Sequence, residues 1–240
     1  MLVEVCANSL ESALNAEKSG ADRVELCSEL GVGGVTPSYG LIKQVKNQLS
    51  IPVHVLIRPR SGDFDYSDYE FQIMKEDILM CKELGCEGVV SGILKDEHHL
   101  DVARTSALKE VAKDINFTFH RAFDWVAHPF EVLEELKDMQ VQYILTSGQQ
   151  LTALKGIALL KSLKQKAGKL VILPGGGVNE ENAIAFKEAG FGAIHFSGSK
   201  KIKKLSEMPK ILMNSMSFLQ EDEITLSSRE RIKTICDIVK

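Results

Sequence analysis

The chain has 240 residues, 44% hydrophobic and 26% charged, with a formal net charge of −4, which is enough apolar material for one sizeable core. The acidic balance argues against a nucleic acid as partner, because phosphate backbones are held by clustered Lys and Arg. No apolar run reaches the length of a membrane span, and the N-terminus carries no basic leader followed by an apolar stretch, so a cytoplasmic protein is expected. No Pro/Gly/Ser-rich linker divides the chain, and residues 1–240 read as a single domain.

In chain order, short β-branched runs alternate with amphipathic stretches. The first run, residues 2–7, holds Glu4 and Cys6; Ser9 caps the helix that follows and Gly20 ends it. The second, residues 23–28, repeats the pattern with Glu25 and Cys27. Residues i and i+2 of a strand share a face, so each pair points one way while Val3, Val5, Val24 and Leu26 point the other. Pro37 opens a second helix, and further strands fall at 53–58, 88–93, 116–121, 143–147, 170–174 and 193–197. Pro129 opens the helix bearing Val132, Leu133 and Leu136, while Gly85 and Gly190 stand at helix ends. Residues 200–226 read as a long loop or lid whose lysines, Lys200, Lys201, Lys203 and Lys204, are solvated. The closing helix, 227–240, begins with a Ser227 and Glu230 capping box and carries Ile232, Ile235, Cys236 and Val239 as its apolar stripe. Eight such βα units predict an α/β fold, the (β/α)8 TIM barrel. The competitor, a doubly wound sheet, normally shows a glycine fingerprint after its first strand, where Ala7-Asn8-Ser9 stands instead.

In a (β/α)8 barrel the active face is built from the C-terminal ends of the strands. Those ends offer Glu4, Glu25, Arg58, His120, Asp124 and His195, an arrangement suited to a polar ligand and to general acid/base work. Interior charges need partners, so Glu4 and Glu25 are expected to face Arg58 or another cation; a purely structural ion-pair network is the plainer alternative. Gly175, Gly176 and Gly177, with Ser197 and Gly198, resemble the phosphate site that many barrels build from the last two loops and a short helix N-terminus. Tight turns alone would also call for those glycines. Cys6 and Cys27 can approach across adjacent strands, although barrel shear means that equivalent positions need not be level; two buried cysteines filling space are the alternative. Cys81 and Cys86 read as ordinary buried thiols, His54 as an interior histidine, and His98 and His99, after Asp96 and Glu97, as a solvated loop.

The segments Glu4-Val5-Cys6 with Ser9, Gly20-Ala21-Asp22-Arg23-Val24-Glu25-Leu26-Cys27-Ser28, Gly33-Gly34-Val35-Thr36-Pro37-Ser38-Tyr39-Gly40, Ile57-Arg58-Pro59-Arg60, Gly62-Asp63-Phe64, Phe119-His120-Arg121-Ala122-Phe123-Asp124 and Leu145-Thr146-Ser147-Gly148-Gln149 resemble the copper homeostasis protein CutC family, in family order from about residue 1 to 200. Ser61 departs from the pattern, where members often carry glycine. The resemblance implies a (β/α)8 barrel, a cytoplasmic location, homo-oligomers with a dimer favoured, and Cu(I) held by two strand cysteines, which fall on Cys6 and Cys27.

Two functions stay open on the sequence. One is a Cu(I)-binding protein. The other is a barrel enzyme for a small anionic or phosphorylated metabolite, with Arg58 and Arg60 holding the anion, the glycine loop taking phosphate, and Glu4, Glu25 or His120 moving protons. Apolar residues between 211 and 219 would suit an oligomer interface.

Overall fold

The computed structural model describes residues 1–96, 98–213 and 220–240. Its wall has eight parallel strands: β1 (Leu2–Ala7), β2 (Arg23–Leu26), β3 (Val53–Leu56), β4 (Gly88–Ser91), β5 (Asn116–Phe119), β6 (Tyr143–Thr146), β7 (Val171–Pro174) and β8 (Ala193–Phe196). They neighbour one another in chain order, with β8 beside β1. The remaining seam, between β7 and β8, is joined by a single parallel bridge from Gly175 to His195. Outside lie α1 (Leu10–Lys18), α2 (Tyr39–Gln48), α3 (Asp68–Glu83), α4 (Val102–Val111), α5 (Pro129–Asp138), α6 (Ile157–Lys166), α7 (Ala183–Glu188) and α8 (Arg229–Val239). This is the TIM barrel that the alternation of elements predicts.

Period-2 alternation sorts the strand side chains into two cores. Val3, Val5, Val24, Leu26, Val53, Val55 and Ile57 face outward and pack with helix residues such as Ala13, Ala16, Ile42 and Leu133. The inward set divides by sector. Leu145, Leu173 and Ala193, with Leu2 and Val171, fill one side, while Cys6, Cys27, Leu56 and Val90 fill the other.

Local signals behave as expected at several helix ends. Ser9 accepts from the Ser12 N–H at 3.1 Å, and Pro129 is the first residue of α5. The closing helix differs. Its N-cap is Ser228, without a side-chain cap bond, because Ser227 ends a strand; the expected capping box with Glu230 does not form. The segment read as a loop after β8 is ordered at both ends. Ser199–Lys203 pairs antiparallel with Glu223–Ser227, and Lys201 meets Glu223 at 2.8 Å. Of the apolar stretch read as an interface, Ile211, Leu212 and Met213 are exposed, and 214–219 lie outside the described residues, as does Glu97.

Inside the wall, His54 is fully buried, and neither ring nitrogen has a hydrogen-bond partner among the described residues. Burial, with Arg23 nearby, pushes it down to about 4, so it is neutral. It fits because β4 has glycine opposite: a Cβ on Gly88 would stand 2.6 Å from the imidazole. Gly88→Ala is therefore expected to destabilise the fold by about 1–3 kcal/mol through overpacking, read as a lower Tm. An unchanged Tm would mean that the ring can move aside.

Candidate metal centre

Adjacent strands of the barrel are offset, so the two Glu-x-Cys segments do not lie side by side. Glu4 is opposite Arg23, and Cys6 is opposite Glu25. The offset gives the two glutamates different neighbours. Glu4 is fully buried, with Oε2 accepting from Arg23 Nε at 2.5 Å and Oε1 lying 2.8 Å from His195 Nδ1. Burial alone would raise its pKa, but Arg23 and His195 hold it down, at about 2. The Arg23 guanidinium also stacks 4.2 Å over the Tyr143 ring. Of the cations expected to answer Glu4, Arg58 or another, Arg23 is the one that does.

Glu25 has His195, rather than a guanidinium, as its nearest cationic partner. Its Oε1 accepts from the Cys6 thiol at 3.6 Å, and Oε2 has no hydrogen bond, with His195 Nδ1 3.9 Å away. Burial raises its pKa, and Glu4 adds to the rise. Cys6 Sγ lies 3.6 Å from Cys27 Sγ. That contact first, then burial, pushes the Cys6 thiol well above its ordinary range. His195 is drawn the other way: burial would lower it, but Glu25, the Cys6 sulfur and Glu4 raise it well above a normal histidine. Ligand atoms of Cys6, Glu25 and His195 all lie within 4.8 Å of one another.

These groups open onto a cavity of about 510 Å³ at the C-terminal end of the strands. Arg58 and His120 line it from β3 and β5, and Gly176, Gly177 and Ser197 from the last two loops. Five of the expected residues do not line it: Glu4 and Cys27 are fully buried, and Asp124, Gly175 and Gly198 are engaged elsewhere. Asp124 turns to the loop after β6, accepting from Thr146 Oγ1 at 2.5 Å, Ser147 N at 3.0 Å and Arg121 Nε at 2.8 Å. Gly175 makes the closing bridge, and Gly198 packs on Ile232. Arg60 is likewise outside, paired with Asp63 and Glu70. A strand, not the helix N-terminus of a phosphate site, follows Gly198. The glycines have packing reasons of their own: a Cβ would lie 2.4 Å from Leu145 at Gly175, 3.2 Å from Ser147 at Gly176 and 3.0 Å from Thr152 at Gly177. Sequence reasoning missed Arg23, although its parity with Glu25 and Cys27 places it on the inward face. It also missed Phe64, Arg121 and Trp125 at the rim.

A model of the CutC family matches residues 1–200. The chain belongs to the CutC family. It is 41% identical to the human copper homeostasis protein cutC homolog over 244 residues, covering 100% of this chain and 89% of that one. It is 44% identical to the CutC family protein of Proteus mirabilis over 223 residues, 93% and 89% of the two chains. The crystal structure of a copper homeostasis protein CutC from Streptococcus agalactiae superposes with a TM-score of 0.78 at 35% identity, covering 82% of this chain and 98% of that one. The family match ends where the paired strands after β8 begin, and Cys6, Cys27, Glu25 and His195 of this CutC chain all lie inside it.

Proposed function

We propose that this CutC chain binds one Cu(I) ion at the barrel mouth, with Cys6 and Cys27 as thiolates and Glu25 and His195 beside them. The observation that carries the reading is the approach of two buried sulfurs to 3.6 Å next to a carboxylate and an imidazole. Soft thiolates favour Cu(I), whereas a structural zinc commonly takes four ligands from closely spaced cysteine pairs, which this sequence lacks. A ligating histidine normally has its other ring nitrogen held by a carboxylate, and Glu4 stands 2.8 Å from His195 Nδ1 in that role. The copper-homeostasis names of the relatives agree.

The surrounding residues also handle protons. A thiol must deprotonate to ligate a metal. Glu25, which accepts from Cys6 and has a raised pKa, is the nearest base for that proton and borders the cavity through which it leaves.

The test is anaerobic titration of reduced protein with Cu(I) against a chromogenic chelator. Wild type is expected to take one equivalent. The Cys6→Ser, Cys27→Ser double variant is expected to lose more than about 100-fold in affinity, beyond the cost of removing a supporting residue. A double variant that binds as tightly as wild type defeats the reading, and so does preferential uptake of Zn(II).

A further inference from the structure

The cavity is much larger than one ion needs. About 510 Å³ lies within the range of small-molecule sites, roughly 300–1,000 Å³. Its polar lining also divides by strand. Cys6, Glu25 and His195 belong to the β1, β2 and β8 sector. Arg58 and His120 stand on the β3 and β5 side.

Arg58 is buried, and its Nη atoms donate to the carbonyls of Val32, Gly34 and Gly62 at 2.9, 2.8 and 2.7 Å. Those carbonyls position the guanidinium but do not neutralise it. Among the described residues Arg58 forms no ion pair, while Arg23, Arg60, Arg104, Arg121 and Arg231 each do. Its Nε–H is buried without an acceptor. His120 is the second donor. Its Nδ1 accepts from the Ala122 N–H at 3.2 Å, and its Nε2 is buried without a partner. Burial and the nearby Arg58 keep the ring neutral, pushed down to about 3, which leaves the proton on Nε2. The two donors flank one ring: Phe64 lies 4.8 Å from the His120 ring centroid and 5.2 Å from the Arg58 guanidinium carbon. A buried cation without a counter-ion and a buried N–H without an acceptor, both among the described residues, are the complement of an oxyanion.

We infer that the barrel mouth takes a small organic oxyanion, a carboxylate or phosphate ester, with its anionic group against Arg58 and His120. Its body extends across the cavity toward Cys6, Glu25 and His195. The inference does not depend on copper; it keeps Arg58 as an anion donor and sets His120 in place of Arg60 and the glycine loop.

The test uses metal-free, reduced protein and records Tm with inorganic phosphate, glycerol 3-phosphate or succinate, against glycerol and sodium chloride at matched ionic strength. At ten times Kd the bound anion should raise Tm by about 3–6 °C. The Arg58 Nε–H cross-peak of wild type should move in the same titration, and His120→Gln should reduce the Tm rise by at least half. Selectivity among the three probes assigns phosphate or carboxylate. No rise beyond the chloride control overturns the inference, as does a rise with the Arg58 cross-peak unmoved or with His120→Gln indistinguishable from wild type. Because copper is absent throughout, failure here leaves the Cu(I) titration untouched, and the reverse also holds.

Discussion

Arg23→Met is expected to destabilise the barrel by about 3 kcal/mol, at the lower end of the 3–5 kcal/mol typical of a buried ion pair that loses one partner. Met keeps an unbranched apolar stem but removes the guanidinium, which stacks on Tyr143 and donates to Glu4 at 2.5 Å. The fully buried carboxylate then keeps only His195. At roughly 2–4 °C per kcal/mol for a chain of this size, Tm should fall by about 6–12 °C. Adding Glu4→Gln should recover part of the loss, because the buried charge goes with its partner. A loss below about 1 kcal/mol for Arg23→Met alone would mean that Glu4 finds another donor. The same pair sets an acid limit. Glu4 is held at about 2 in the folded chain against an ordinary 4.5, so its contribution is fully present above pH 4.5 and disappears as pH falls toward 2. Glu4→Gln should flatten that part of the stability profile.

The second large effect is on metal affinity. If Cys6 and Cys27 enter as thiols and are held as thiolates, binding releases two protons, and the apparent Cu(I) affinity should fall by about a hundredfold for each pH unit lost. His195 adds to the slope if its imidazolium proton must also leave. Glu25 reduces it where it retains the proton taken from Cys6. Competition titrations between pH 6 and 8 would measure the slope directly. A pH-independent affinity would rule out thiolate ligation. The Cys6→Ser and Cys27→Ser single variants should each show a slope smaller by about one proton.

Strand order and the inward-facing set were readable because a barrel strand is buried on both faces and its polar positions are therefore conspicuous. Glu4, Cys6, Glu25, Cys27, His54 and His195 all come out buried. Strand ends were less legible. The second run was expected through residue 28 but stops at Leu26, since Ser28 bridges back to Val35 instead of continuing beside β1. The partner of Glu4 stayed open between Arg58 and another cation for a geometric reason: in-strand periodicity gives the face of a residue, whereas its neighbour across the wall depends on the offset between strands, which is a property of the closed sheet. The paired strands after β8 were hidden for another reason. Lys200, Lys201 and Lys203 look like a solvated run, and their partners, Glu223 to Leu226, lie about twenty residues on. The Ser227 cap failed because two serines stand together and the strand claims the first. Arg58 lines the cavity, but nothing local in the sequence shows that three loop carbonyls, rather than a carboxylate, surround it.

Seven seams of the wall are ladders of two to four register pairs, and the eighth is one stitch, Gly175 to His195. Mechanically the cylinder is a cuff whose fastening passes through the residue that faces the thiols. The least paired seam of the wall and the imidazole held by Glu4 thus belong to one residue, backbone and side chain.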